Sequence, residues 1–210
     1  LRRLILLRHG QTEYNASNRM QGHLDTELTE LGRSQAKQAA RDLAELDPQQ
    51  IVSSDLSRAL DTAVSLGDAA GLPVTTDERL RETHLGDWQG MTHLEVDAIA
   101  SGAREEWRAD ASLAPPGGES RVDVARRAMP LVQELVDRGD WGSRPVVLVA
   151  HGGTIAALTA ALLDLPVDRW PVLGGLGNAS WVQVTQHDSS AAQWRLDVWN
   201  AAARVAGDVL

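Results

Sequence analysis

The sequence predicts an α/β fold, on three observations. Short uninterrupted apolar runs at residues 4–7 and 145–150 have the length and bulk of buried strands. Segments with apolar residues at helical spacing follow them, so strand and helix alternate along the chain. The 210 residues, 43% hydrophobic and 23% charged, suffice for one substantial core. No repeat, low-complexity tract or break in composition marks a second unit, so residues 1–210 are read as one domain.

The elements follow in order. Leu4, Ile5, Leu6 and Leu7 form the first strand. Thr29 is placed to cap a helix over residues 30–46, with Leu31, Ala36, Ala39, Ala40 and Leu43 on one face and Pro48 as its stop. Residues 51–54 read as the next strand. Ser54 or Asp55 then caps a helix to residue 70, whose apolar face is Leu56, Ala59, Leu60, Ala63 and Leu66, ended by Gly71. A third strand is predicted at residues 73–76. Residues 82–120 are rich in glycine and proline and read as loops with short helices, the kind of segment on which sites are built. A helix spans residues 121–138, and the apolar strand 145–150 follows. Gly152-Gly153 turns that strand into an alanine- and leucine-rich helix ending near Pro166. Residues 180–185 and 194–199 are the last two strands.

Composition narrows the function. The net charge of −9 excludes a broad nucleic-acid-binding face. An anionic substrate must therefore be drawn in by a local cluster of arginine and histidine. The chain has no cysteine, which excludes disulfides and thiolate metal sites and fits a cytoplasmic protein. The apolar run near the N-terminus is too short for a signal segment or a membrane span, so no membrane partner is expected. The six histidines show no metal-ligand spacing, and neither metal nor cofactor is expected.

The chemistry concentrates at strand ends. The first strand runs into Arg8-His9-Gly10, and the strand at 145–150 runs into His151-Gly152-Gly153. Ligands of open α/β sheets sit at the carboxyl ends of strands, and neighbouring strands are about 4.8 Å apart. Two such ends can bring His9 and His151 face to face. Arg58 stands in the first turn of the helix after the second strand, beside free amides and the positive end of the helix dipole. Arg8 and Arg58 offer forked donors suited to phosphate oxygens. His9 is the candidate nucleophile, His151 and the arginines supply charge to a phosphoryl group, and Glu82 is the candidate acid for the leaving alkoxide.

Five ordered motifs carry a resemblance. They are Leu7-Arg8-His9-Gly10-Gln11-Thr12 with Asn15, Ser53-Ser54-Asp55-Leu56-Ser57-Arg58-Ala59, Arg81-Glu82 with Gly86-Asp87-Trp88-Gln89-Gly90, Pro116-Gly117-Gly118-Glu119-Ser120, and Val149-Ala150-His151-Gly152-Gly153. Together they resemble the histidine phosphatase superfamily, phosphoglycerate mutase-like branch. The resemblance implies a three-layer α/β/α sandwich with a mostly parallel sheet. It also implies a phosphohistidine on His9, phosphate ligands Arg8, Arg58 and His151, and acid Glu82. Asn15 and Gln21 sit where the family places further substrate contacts; Gly22, His84 and Gly152 complete the expected substrate-binding set. A narrower resemblance, through residues 53–61, 81–90, 174–181 and 194–200, is to the actinobacterial glucosyl-3-phosphoglycerate phosphatase family. It implies release of glucosylglycerate, a step toward methylglucose polysaccharides.

Two rival functions share these motifs. A mutase would pass the phosphoryl group back to substrate rather than to water; the short segment between the acid loop and Gly117-Gly118 favours the phosphatase. A non-catalytic phospho-ligand binder would lack His9 or Glu82, and both are present. His84, Trp88 and Trp107 are expected to meet a sugar. His23, His93 and His187 are expected on the surface, and Asp25 and Glu27 in a solvated loop. A homodimer is expected through Trp181, Trp194 and Trp199, and residues 201–210 are expected to pack over the mouth of a site.

Overall fold

The computed structural model describes residues 1–187 and 193–203. The tail expected to cover a site therefore lies, from residue 204 onward, outside the described residues. Six strands form one sheet: β1 (Arg2–Arg8), β2 (Gln50–Ser53), β3 (Val74–Thr76), β4 (Val146–Ala150), β5 (Trp181–Gln186) and β6 (Trp194–Ala201), in the order β3-β2-β4-β1-β5-β6. The first four in that order run parallel, while β5 is antiparallel to β1 and β6 to β5.

The helices are α1 (Glu13–Ala16), α2 (Glu30–Ala44), α3 (Ser57–Ala70), α4 (His93–Ile99), α5 (Ala103–Ala109), α6 (Arg121–Asp137) and α7 (Gly152–Leu162). Strand side chains alternate between two helical layers, as the pleat requires. Leu4 and Leu6 of β1, with Val146, Leu148 and Ala150 of β4, pack with Ala128, Leu131 and Leu135 of α6 and Ile155 and Leu158 of α7. Ile5 and Leu7, with Val147 and Val149, pack with Ala39, Ala40 and Leu43 of α2 and Ala59, Ala63 and Leu66 of α3. These strands are buried on both faces, which is why they read as unbroken apolar runs rather than alternating ones. The result is the three-layer sandwich with a mostly parallel sheet.

Helix boundaries follow local chemistry. Thr29 Oγ1 accepts from Gly32 N at 3.0 Å and starts α2; Ser120 and Asp123 form a reciprocal capping box at α6. Gly71 ends α3 with a left-handed φ of 66°. Two expectations are corrected. Leu31 points to solvent, because the buried stripe of α2 runs through Gly32, Ala36, Ala39, Ala40 and Leu43. Neither Ser54 nor Asp55 caps α3, which begins at Ser57; Asp25, expected in a solvated loop, reaches across and accepts from Ser57 N at 2.7 Å and Ser57 Oγ at 3.0 Å.

No described helix is long and apolar enough to cross a membrane. Trp194 is buried and tilted against Trp141 at 5.9 Å, so part of the tryptophan set fills the core.

Candidate active site

Because β1 and β4 pair in parallel with Arg8 opposite Ala150, the residues that follow, His9 and His151, leave the sheet side by side. Their ring centroids are 5.2 Å apart and both are buried. His9 is held through its backbone: its N–H donates to Ala150 O at 3.2 Å and its carbonyl accepts from Ala179 N at 3.0 Å. Gly10 then passes so close to α2 that an added Cβ would stand 2.3 Å from Gly32 O. The turn after the nucleophile candidate therefore has no room for a side chain.

The tautomer of His9 follows from its partner. Nδ1 lies 2.7 Å from Gly10 O, and a carbonyl can only accept, so Nδ1 carries the proton and Nε2 keeps its lone pair. Burial, then the charges of Arg58 and Arg8, push the His9 pKa well below the ordinary histidine range, so the ring is neutral at neutral pH. His151 is lowered in the same direction, first by burial and then by Arg58 and its neighbour His9. Its Nε2 lies 2.8 Å from Ser54 Oγ, which also accepts from Leu56 N at 3.3 Å. Ser54 Oγ and His151 Nε2 thus share one hydrogen bond, and the other ring nitrogen of His151, Nδ1, is buried without a partner among the described residues.

Arg58 is almost completely buried in the first turn of α3. Its terminal nitrogens donate to Gly22 O and Leu24 O, both at 2.7 Å, tying the loop that carries Gln21 and Gly22 to the helix. Burial lowers its pKa to about 10, opposed by the charges of Glu82 and Asp25, and it stays a cation at neutral pH. Arg8 donates from one terminal nitrogen to Leu176 O. Burial lowers its pKa too, with Glu82 opposing. The Nε atoms of both arginines are buried with no partner among the described residues. Unpaired buried nitrogens of Arg8, Arg58 and His151 thus remain near His9, and the two guanidinium groups suit an anion.

Glu82 arrives from a different segment and is seated at the start of α7. Oε1 accepts from Thr154 N at 3.1 Å and from Thr83 N at 2.7 Å, and Oε2 accepts from Gly153 N at 3.2 Å. Helix N-termini present free amides and a positive dipole end, which is where a carboxylate is held best. The Glu82 carbonyl accepts from Arg127 at 2.8 Å and from His23 Nε2 at 2.7 Å, and Arg127 is clamped in turn by Glu119 at 2.9 and 3.0 Å. His23 is thus no surface residue: it packs edge-on against His84 at 4.7 Å and braces the acid loop.

The remaining expected contacts fall nearby in two groups. Asn15 Oδ1 accepts from Thr12 N at 3.0 Å and from Asn178 at 3.2 Å, and Gln21 is buried against Thr12 Oγ1 at 2.7 Å. Gly22 offers only its carbonyl, to Arg58. Gly152 lies against the Arg8 guanidinium, 3.4 Å from Arg8 Nε to an added Cβ. His84 Nδ1 accepts from Gly86 N at 3.0 Å, so it stabilises its own turn. Beyond Arg8 and Glu82 opens a cavity of about 470 Å³, lined also by Arg108, Arg121, Trp170, Pro171 and Leu176. Trp88, expected to meet a sugar, is instead buried with Met20, Leu85 and Val96 and meets Trp107 edge-to-face at 5.8 Å. Trp170 is the tryptophan on the cavity wall. Among the described residues, no cluster of three or more histidines, aspartates and glutamates could hold a metal ion.

A neutral imidazole with a free nitrogen beside two buried arginines, with a carboxylate seated nearby at the start of α7, suits phosphoryl transfer chemistry. The chain belongs to the histidine phosphatase superfamily (branch 1), whose model matches residues 4–202. It is 68% identical to the glucosyl-3-phosphoglycerate phosphatase of Mycolicibacterium vanbaalenii, covering all of this chain and 99% of that one. It is 63% identical to the enzyme of the same name from Mycobacterium tuberculosis, at the same coverage. A solved mycobacterial glucosyl-3-phosphoglycerate phosphatase in complex with VO3 superposes with a TM-score of 0.94 at 65% identity, covering 96% of this chain and all of that one.

Proposed function

We propose that the chain is a phosphomonoesterase that removes phosphate from glucosyl-3-phosphoglycerate through a phosphohistidine on His9. The observation that carries the chemistry is His9 itself, neutral, with its Nδ1–H spent on Gly10 and Nε2 free beside two arginines. In the first step Nε2 attacks phosphorus, the P–N bond forms and the ester P–O bond breaks. Arg8, Arg58 and His151 hold the phosphoryl oxygens as charge builds there. Glu82 gives its proton to the departing alkoxide and afterwards takes one from the water that cleaves the P–N bond. Asn15, Gln21, Gly22, His84 and Gly152 line or frame the entry to that centre.

The substrate assignment is supported by full-length similarity to enzymes named for it. The cavity beyond Arg8 adds room for a group larger than phosphate. The product would be glucosylglycerate, in a sequence leading to methylglucose polysaccharides. A cytoplasmic location follows from a phosphorylated sugar-acid substrate and is checked by cell fractionation. We further propose a homodimer on the β6 side of the sheet, where the edge strand leaves Leu196 and Val198 partly open to solvent.

The test is rapid quenching with labelled substrate. Acid-labile, base-stable phosphate is expected on the native protein and none on His9→Ala, which should turn over no substrate. Release of phosphate from glucosyl-3-phosphoglycerate should far exceed that from 3-phosphoglycerate. Label on serine or aspartate overturns the mechanism, and efficient isomerisation of 3-phosphoglycerate makes the chain a mutase.

A further inference from the structure

Arg121 opens α6 immediately after the Ser120 cap and lines the cavity that Arg8 and Glu82 also line. Its guanidinium lies 4.4 Å over the Trp107 ring, and Trp107 is itself braced edge-on by buried Trp88. Arg121 Nε is shielded from solvent and has no hydrogen-bond partner among the described residues. No described residue forms an ion pair with it. Of the other shielded arginines, Arg127 is paired with Glu119, Arg58 is held by the carbonyls of Gly22 and Leu24, and Arg8 belongs to the phosphate centre. A shielded cation without a counter-charge is costly to keep. Stacking on tryptophan offsets part of that cost and fixes the planar fork without using its donors.

We propose that Arg121, with Arg108 at the exposed rim, receives a carboxylate that the substrate carries beyond its phosphate ester, so that the cavity selects phosphomonoesters of hydroxy acids. The inference rests on reading the His9 centre, which Arg8 and Glu82 join to this cavity, as the phosphate site. A carboxylate fits better than a second phosphate. The phosphate centre gathers Arg8, Arg58 and His151 around one group, whereas the cavity beyond Arg8 offers Arg121, whose Nε is shielded, and the exposed Arg108. The planar fork of an arginine matches the two oxygens of a carboxylate. The rest of the wall, Ala111, Ala156, Ala157, Pro171, Leu173 and Leu176, offers a carboxylate no charge. A site built to pair such a group discriminates against analogues that lack it, because the buried donor is then left unpaired.

The experiment compares kcat/KM for 3-phosphoglycerate and glycerol 3-phosphate, which differ in the carboxylate. Wild type, Arg121→Gln, Arg121→Lys and Arg108→Ala are measured, with a thermal melt for each. Wild type is expected to prefer 3-phosphoglycerate. Arg121→Gln should lose about 10- to 100-fold on that compound, the worth of one charge-assisted pair, and stay within about twofold on glycerol 3-phosphate. Arg121→Lys should keep part of the preference, and Arg108→Ala, which cannot disturb the core, should weaken it in the same direction. Equal losses on both compounds, or a preference that survives in folded Arg121→Gln, overturn the proposal. So does a wild type that treats the two compounds alike. Calorimetric binding of the same pair to His9→Ala separates the two readings. If wild type hydrolyses neither compound nor glucosyl-3-phosphoglycerate, but His9→Ala binds 3-phosphoglycerate more tightly than glycerol 3-phosphate and His9→Ala/Arg121→Gln does not, the phosphatase reading fails and the carboxylate site stands.

Discussion

Gly153→Ala tests whether the seat of Glu82 sets its chemistry. Gly153 is the second residue of α7, and its amide donates to Glu82 Oε2. A Cβ at this position would stand 2.5 Å from Glu82 Oε1 and 2.9 Å from Thr83 Oγ1, where ordinary contact begins at 3.4 Å, so the carboxylate must retreat by roughly 0.9 Å. Both crowded atoms are ends of side chains, and the backbone has no need to move. Alanine also favours the helix over glycine by up to about 1 kcal/mol, which offsets the crowding. The melting temperature is therefore expected to shift by no more than a few degrees. Catalysis is less forgiving, since a misplacement of about 1 Å can cost on the order of 100-fold. Turnover of an alkyl phosphate should fall about 30- to 100-fold, while 4-nitrophenyl phosphate, whose leaving group needs little protonation, should stay within about threefold. Steady-state kinetics on both substrates, beside the melt, reads the outcome. Comparable losses on the two would refute the reasoning, because the whole phosphate centre would then have moved. Unchanged alkyl turnover would refute it from the other side, by removing Glu82 as the proton donor.

Burial and nearby arginines hold His9 and His151 below the ordinary histidine range. The unfolded chain therefore takes up protons that the folded one refuses, and stability, full above about pH 6.5, should fall with pH by up to about 1.4 kcal/mol per unit for each histidine. Urea titrations at pH 8, 6.5 and 5.5 check the slope; flat stability over that window, or the same slope in His9→Ala, contradicts it. Gly10→Ala sets a Cβ 2.3 Å from Gly32 O, backbone against backbone, and should cost about 1–3 kcal/mol or more and abolish turnover. A variant as stable and active as wild type would show that the turn has slack. For the homodimer, light scattering should give twice the mass of one chain, and a single-chain mass at every concentration disposes of it.

Much of the fold was legible because burial on both faces leaves an unmistakable pattern. The β1 and β4 runs, the Thr29 cap and the Gly71 stop each express local rules, and each stands where the sequence put it. The pairing of His9 with His151 could be anticipated because parallel strands align their carboxyl ends. What the sequence hid was long-range. Asp25 caps a helix thirty-odd residues away, and nothing in its neighbours distinguishes it from a solvated aspartate. His23 braces the acid loop through the carbonyl of Glu82, a partner with no side-chain signature. Ser54 was quoted within a motif, but its role toward His151 depends on β2 lying beside β4. Leu31 shows the opposite failure: helical spacing alone admits residues at the margin of the apolar stripe, and packing decides which of them are covered. Trp88, expected at a sugar, fills a core instead, while Trp170, which nothing in the sequence singled out, walls the cavity, since the part an indole plays depends on what the fold brings against it.

The sheet order also dictates a sequence of events during synthesis. Among the described strands β1 pairs with β4 and β5 alone, both from the last third of the sequence. While the ribosome is still making residues before 146, the four consecutive leucine and isoleucine side chains of β1 have no strand to join, although β2 and β3 can already pair with each other. The N-terminal strand, made first, is thus the last of the parallel set to find its neighbours, and it is also the one that delivers His9. Activity cannot precede completion of the sheet, and the nascent chain carries an unpartnered apolar segment through most of its translation.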